Sequence, residues 1–305
     1  MIRRNFLGLD ICGGELRGVA LRRQGATTVA LTGAKTASLA DDVWALSVRD
    51  ANILDRPRFI AAVRAALDSL SRGEDRIALS LPDSIGRILL TEVDSVFKSR
   101  EEGIEVVKWQ LKKSLPAEAR DVQLDYQVLE KTETGRYRLV VSMIVRTVLR
   151  QYEEALAEAG YHPVVVDFHS LNLYNYYRSR LDLGEDFILV GIDGGHLGLQ
   201  FFQGKIPCFH RHKRVAAEPE EGFKEINLSF AAIRENYPGF HRAAVFLHCD
   251  WTERGSLIEA LRAAFERDVI VLDPKIEQLA AQLPPPGEVA SPSLVAAIGA
   301  AERLM

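Results

Sequence analysis

Short apolar runs alternate with amphipathic stretches along the chain, an alternation that predicts an α/β protein. Phe59, Ile60, Val63, Leu67 and Leu70 fall on one face of a helix over 59–70, and 77–82 reads as a buried strand stopped by Pro82. Ile104, Val107, Leu111 and Leu115 share one face of a helix over 104–115. The stretches "VQLDYQVLE" and "YRLVVSMIV" read as antiparallel strands joined by the turn "KTETG". A helix follows and ends at Gly160, a usual C-cap, before the strand "HPVVVDF". Further on, Phe223, Ile226, Phe230, Ile233 and Tyr237 keep helical spacing, a pattern of core packing. The strands "AAVFLHCD" and "VIVLD" flank the helix "SLIEALRAAF". A proline-rich connector over 283–293 leads to a last amphipathic helix with Leu294, Val295, Ile298 and Ala301 on one face.

Within this pattern one arrangement occurs twice. "FLGLDICGGELRGVALRRQG" (6–25) and "LVGIDGGHLGLQFFQG" (189–204) each run from an apolar strand to an Asp, through a small-residue turn, into a second strand and a Gln-Gly turn. Asp10 and Asp193 are equivalent in this comparison, which suggests two lobes built on one plan. An Asp-Gly-Gly turn is a hairpin signal, because glycine accepts positive φ without steric penalty. It is equally a backbone nest for phosphate, with the aspartates holding Mg²⁺ through water. The local residues leave both readings open.

Bulk composition narrows the field. The chain has 305 residues, 47% of them hydrophobic and 26% charged, enough for two lobes with full cores. With 42 acidic against 38 basic side chains, the net charge of −4 gives no electrostatic case for nucleic acid. No stretch approaches the ~20 apolar residues of a membrane span, and the short basic N-terminus lacks a secretory h-region, so a cytoplasmic protein is expected. Cys12, Cys208 and Cys249 are far apart and odd in number, which fits a reducing compartment. Cys208, His210 and His212 lie along one strand, but too few ligands converge there for a metal site.

At the two turns the chain resembles the actin-like ATPase superfamily, and "PSLVAAIGAAERL" resembles its C-terminal helix. The stretches "VVKWQLKKSLPAEARDVQLDYQVLE", "YEEALAEAGYHPVVVDFHSLNLYNYY" and "ANILDRPRFIAAVRAAL" are similar to the PilM family of type IV pilus assembly proteins. The resemblance implies a two-lobed actin-like fold. Residues 1–170 would form the first lobe, with an inserted subdomain of FtsA type at about 83–158, and 171–290 the second. Residues 291–305 would return as a helix to the first lobe. It further implies ATP or ADP with Mg²⁺ in the cleft, with Asp10, Gly13, Gly14, Arg17, Asp193, Gly194, Gly195 and Gly299 as binding residues and Asp10 and Asp193 on the metal side. The implied partner is the N-terminal tail of a PilN-type bitopic membrane protein, alongside other pilus platform proteins. The chain would then lie on the cytoplasmic face of the inner membrane.

Several residues depart from that family's pattern. Cys12 stands at a glycine position of the first loop and Arg17 near a lysine position. His169-Ser170 replaces the expected glutamate, and "HCDWTERG" replaces a glycine run, leaving Gly255 beside the bulky Trp251. His169 stands where a base could act, although a lone histidine after a strand is more often packed. These changes line one cleft, so weak or absent hydrolysis and a docking role are expected, with helix 104–115 and strand 122–130 near the partner groove. The alternatives are an active ATPase or small-molecule kinase of the superfamily, which needs a catalytic carboxylate beside its acceptor, or a GspL-like secretion component.

Overall fold

In the computed structural model, which describes residues 4–25, 28–112, 121–215, 219–234, 237–279 and 291–305, β1 (Phe6–Cys12) is apolar on both faces because both faces are covered. It pairs antiparallel with β2 (Glu15–Gln24), which pairs with β3 (Thr28–Ser38), and it pairs parallel with β4 (Arg76–Leu81). One face is packed by α1 (Arg56–Ser71), started by the Asp55 side chain accepting from the Arg58 amide at 3.1 Å. Phe59, Val63, Ala66, Leu67 and Leu70 of α1 are buried, as the spacing predicts.

After β4 the chain leaves for a small three-stranded sheet in the order β5-β7-β6: β5 (Gly86–Val93), β6 (Val122–Lys131) and β7 (Tyr137–Val145). The helix α2 (Arg100–Gln110) packs on it, with Val107 joining Val93, Val122, Leu124, Leu139, Val141 and Met143 in a separate core. This helix starts four residues before the predicted 104. Ser99 caps its start: the Ser99 hydroxyl accepts from the Glu102 amide at 3.2 Å, and the Glu102 carboxylate accepts from the Lys98 amide, one residue before the cap, at 2.6 Å. Residues 113–115 of the predicted helix, and 283–290 of the proline-rich connector, lie outside the described residues, as does the side chain of Phe223. The helix α3 (Arg146–Ala159) returns to the first core, where the Tyr152 hydroxyl links Trp44 and Asn52. Then β8 (His162–Phe168) pairs parallel with β4, completing the order β3-β2-β1-β4-β8.

The second half repeats this plan. β9 (Phe187–Asp193), β10 (His196–Gln203), β11 (Ile206–Arg214), β12 (Ala244–Cys249) and β13 (Val269–Val271) pair in the order β11-β10-β9-β12-β13. The helices α5 (Pro219–Arg234) and α6 (Gly255–Phe265) precede and follow β12. The predicted echo is therefore a repeated topology, but the expected equivalence of Asp10 and Asp193 is corrected: β9 ends at Asp193 directly before its Gly-Gly turn, the position that Cys12 holds in β1, while Asp10 lies two residues earlier.

The two halves are joined by their last helices, α4 (His169–Leu181) and, after the short α7 (Ile276–Leu279), α8 (Val295–Glu302). A shared core combines Val19 and Leu21 of β2, Leu173 and Tyr177 of α4, Phe187 and Phe202 of the second sheet, and Val295 and Ile298 of α8. Each such side chain contributes about 1.5–3 kcal/mol on burial. The prediction of one apolar face on the last helix is corrected here. All residues from Val295 to Ala301 are buried, because the first sheet covers α8 on one side and α4 on the other. Gly299 belongs to the crossing with α4, where a Cβ would stand 2.0 Å from the Asn172 carbonyl oxygen.

Two expectations test this crossing. Replacing Gly299 with Val forces the helices apart and costs about 3 kcal/mol, read as lost stability in denaturant unfolding. Burial raises the Glu302 carboxyl to about 7 from its ordinary 4.5. The unfolded chain therefore ionises first, and the folded state loses stability as pH rises from 4.5 through about 7. A Glu302→Gln chain should gain stability over wild type at about pH 8 and match it at about pH 4, measured by thermal unfolding.

Candidate functional site at the facing hairpins

The β1–β2 and β9–β10 turns are two-residue loops with positive φ at both central glycines: 60° and 75° at Gly13 and Gly14, 55° and 76° at Gly194 and Gly195. Such turns match the right-handed twist of the strands they join. They also meet each other. A Cβ on Gly194 would lie 2.6 Å from the Gly13 Cα, and one on Gly13 would lie 2.7 Å from the Gly194 Cα. The two turns touch through backbone, a contact only glycine allows. Cys12 lies against the same place, its Sγ 3.6 Å from the Asp193 carbonyl oxygen.

Behind the turns, Asp10 and Asp193 are brought together although they occupy different positions in their hairpins, both within 2% of full burial. Arg17, opposite Asp10 in the β1–β2 register, stands between them. Its Nη1 is 2.7 Å from Asp193 Oδ1 and 3.8 Å from Asp10 Oδ2, and donates to the Ser293 carbonyl at 3.1 Å. His169, the first residue of α4, bridges from the other side. Its Nδ1 is 2.9 Å from Asp10 Oδ1 and its Nε2 3.5 Å from Asp193 Oδ2. Ser80, beside Asp10 in the β1–β4 register, donates to Asp10 Oδ1.

Burial opposes every charge here, yet the groups hold one another ionised. Burial works against the Arg17 guanidinium, but Asp193, Cys12 and Asp10 hold it protonated. Burial likewise penalises the Asp193 carboxylate, while Arg17, His248 and His169 keep its pKa far below the usual range. For His169 the desolvation is outweighed by Asp10, so the imidazolium form is favoured well above the ordinary 6.5. Two cations thus face two anions. The Cys12 thiol is pushed up to about 11 by burial.

A second ring surrounds this network. His248 Nε2 lies 3.8 Å from Asp193 Oδ2, and its Nδ1 is 2.9 Å from the Tyr177 hydroxyl. Asp250 accepts from the Gly194 amide at 2.9 Å, and burial together with Asp193 raises its carboxyl to about 7. Asp83 accepts from the Ser170 amide and hydroxyl, and the same hydroxyl meets His210 Nε2 at 2.9 Å. His212 stacks on His196, ring centroids 5.2 Å apart. The histidines of β11 therefore face the lobe interface, while Cys208 lies against Arg138. The space left among Asp83, His169, Asp193, His196 and His212 is about 10 Å³.

Of the residues singled out in the sequence, Asp10, Gly13, Arg17, Asp193 and Gly194 converge. Gly14 and Gly195 flank them, and Gly299 sits in the helix crossing instead. Trp251 packs against the second core, and Gly255 opens α6. Sequence reasoning passed over Ser80, His248 and Asp250. The last two lay in "HCDWTERG", read only for its missing glycines, and strand register alone reveals Ser80.

The chain is similar to the solved PilM–PilN type IV pilus biogenesis complex, with a TM-score of 0.76 at 17% identity over 99% of this chain and 98% of that one. The fold is the actin-like ATPase fold. It is also similar to a Bacteroides thetaiotaomicron protein described as having an actin-like ATPase fold and unknown function, with a TM-score of 0.58 at 10% identity over 91% and 95% of the two chains. A third similar structure is the cytoplasmic domain of EpsL, an inner-membrane component of the type II secretion system of Vibrio cholerae. Its TM-score is 0.51 at 10% identity over 95% and 92%. No protein-family profile and no curated protein sequence matches the chain. Among the described residues, no helix is long and apolar enough to cross a membrane.

The actin-like cleft of this chain depends on Arg17 for charge balance. Arg17→Met leaves Asp193 buried without its nearest cation and should cost about 3–5 kcal/mol, measured as a lower denaturant midpoint.

Proposed function

We propose that this chain is a PilM-like docking subunit of a type IV pilus platform on the cytoplasmic face of the inner membrane, and that it neither needs nor hydrolyses ATP. Residues 1–170, 171–290 and 291–305 are taken as first lobe, second lobe and returning helix. Three features of the cleft support a degenerate nucleotide site. Mg²⁺ demands an octahedral oxygen shell with several waters, whereas Arg17 and His169 already neutralise Asp10 and Asp193. The touching glycines take up the backbone approach that phosphate would use. The remaining space of about 10 Å³ holds about one water. Magnesium and a phosphate chain do not fit this arrangement.

The observation that carries the docking role is a groove between two open strand edges. β8 ends the first sheet and β6 ends the inserted sheet, so among the described residues each has one row of backbone groups without a strand partner. Between them lies a space of about 280 Å³, lined by Gln123, Asp125, Val164, Val166 and Phe168 among others. An extended peptide can add to such an edge through main-chain hydrogen bonds while the apolar lining selects its side chains. The N-terminal tail of a PilN-type bitopic protein is the occupant this reading assigns, consistent with the likeness to PilM of the PilM–PilN complex. A larger cavity of about 540 Å³ lies between the inserted sheet and β10–β11. It is a weaker candidate because Arg100 and Arg303 on its wall are already paired with Asp125 and Asp167.

Calorimetry separates the readings. A PilN-type N-terminal peptide should bind the wild-type chain, and Val164→Glu, at a position 43% exposed, should weaken it at least about tenfold, which is about 1.4 kcal/mol, without lowering stability. Mg-ATP should give no binding heat and no turnover. Tight Mg-ATP binding with turnover and no response to peptide would favour an enzyme instead.

A further inference from the structure

The groove between β6 and β8 carries charge of one sign. Asp125, Glu153 and Asp167 line it, and among the described residues no lysine, arginine or histidine does. Two of these carboxylates are met from outside the groove: Arg100 pairs with Asp125 and Arg303 with Asp167, and both arginines stand on the wall of the neighbouring larger cavity. Burial still raises the Asp167 carboxyl above its ordinary 3.8, against the pull of Arg303. Glu153 has no such neighbour. It is half-buried on α3. Arg56 takes other acids of that helix, Glu154 at 3.2 Å and Glu158 at 2.7 Å. Among the described residues Glu153 makes no ion pair and no hydrogen bond. Its carboxylate shares the groove with the apolar side chains of Val164, Val166 and Phe168. A charge partly withdrawn from water beside apolar groups is costly until an opposite charge joins it.

We propose that Glu153 sets the charge class of the occupant, an extended basic peptide whose lysine or arginine side chain pairs with its carboxylate, an assignment that rests on the groove being a peptide site. The side chains suit the place. A lysine or arginine stem is apolar and lies along an apolar wall while its charged head meets the carboxylate. An arginine fork does so through two parallel hydrogen bonds, a lysine ammonium as a point charge. Main-chain hydrogen bonding to a strand edge is indifferent to sequence, so discrimination comes from the lining. An acidic segment is refused by that lining. Its carboxylates would face Asp125, Glu153 and Asp167 with no cation in the groove between them, and repulsion of this kind is how binding sites exclude wrong partners. A purely apolar segment would fill the wall but leave Glu153 unpaired and further from water.

The test sets the charge of the peptide against the charge of residue 153. Acetylated, amidated variants of the PilN-type N-terminal peptide carry Lys, Gln or Glu at each position in turn, and calorimetry reads their affinity for the full chain. At one position Lys should bind about threefold tighter than Gln and about tenfold tighter than Glu, a preference that shrinks as salt is added. Glu153→Gln should remove the preference without lowering thermal stability. Glu153→Lys should reverse it, so that the Glu peptide becomes the tighter one. Glu154→Gln, one residue away and paired with Arg56, should leave it unchanged. Peptides that bind equally well whatever their charge, or a Lys preference that survives in folded Glu153→Gln and Glu153→Lys chains, overturn the assignment and leave the groove standing as a peptide site. Absence of binding by every peptide overturns both.

Discussion

Arg17 carries a buried positive charge between two carboxylates that come from separate halves of the molecule. Its guanidinium reaches Asp193 at 2.7 Å and Asp10 at 3.8 Å, with all three side chains at least 97% buried. Removing two anions from water costs several kcal/mol each unless cations accompany them. Arg17 and His169 are those cations, and meeting both aspartates at once requires the two hairpins to touch. The backbone contact between Gly13 and Gly194 follows from that demand. The lobes thus meet through both a buried ionic network and a shared apolar core.

The repeated sheet order, and the crossing of α4 with α8, set the frame in which this happens. α8 is buried on every side, so the helix that completes the second half is held by the first sheet. A core shared by both halves runs across their junction. Among the described residues, β6 and β8 are two of the sheet-edge strands, and they lie elsewhere, where the inserted sheet stands beside the first lobe. Under the proposed reading, binding has moved from the middle of the molecule to those edges.

Much of this was legible before any coordinates. The helix over 59–70, the strand pair around "KTETG" and the Gly160 cap follow from local periodicity and turn chemistry, and they occur where expected. The repeat itself was visible because both hairpins spell the same order of parts, but Asp10 was aligned with Asp193 where the register aligns Cys12. Other elements were not. α4 was missed because its stripe is broken by Tyr174, Tyr176 and Tyr177, and its hydrophobic pattern serves two neighbours at once. The start of α2 was misplaced because the apolar positions begin after the Ser99 cap at which the helix starts.

Local pattern determined the elements, the repeat and the candidate aspartates, since these depend on residues a few positions apart. Only the tertiary structure decided what the aspartates do, because the distance from Arg17 to Asp193 is set by the docking of two sheets. Ser80, His248 and Asp250 joined the site through strand register and the docking of the two sheets, which no spacing along the chain encodes. Gly299 shows the same division: its smallness was readable, but the Asn172 carbonyl that requires it lies on a helix over a hundred residues away.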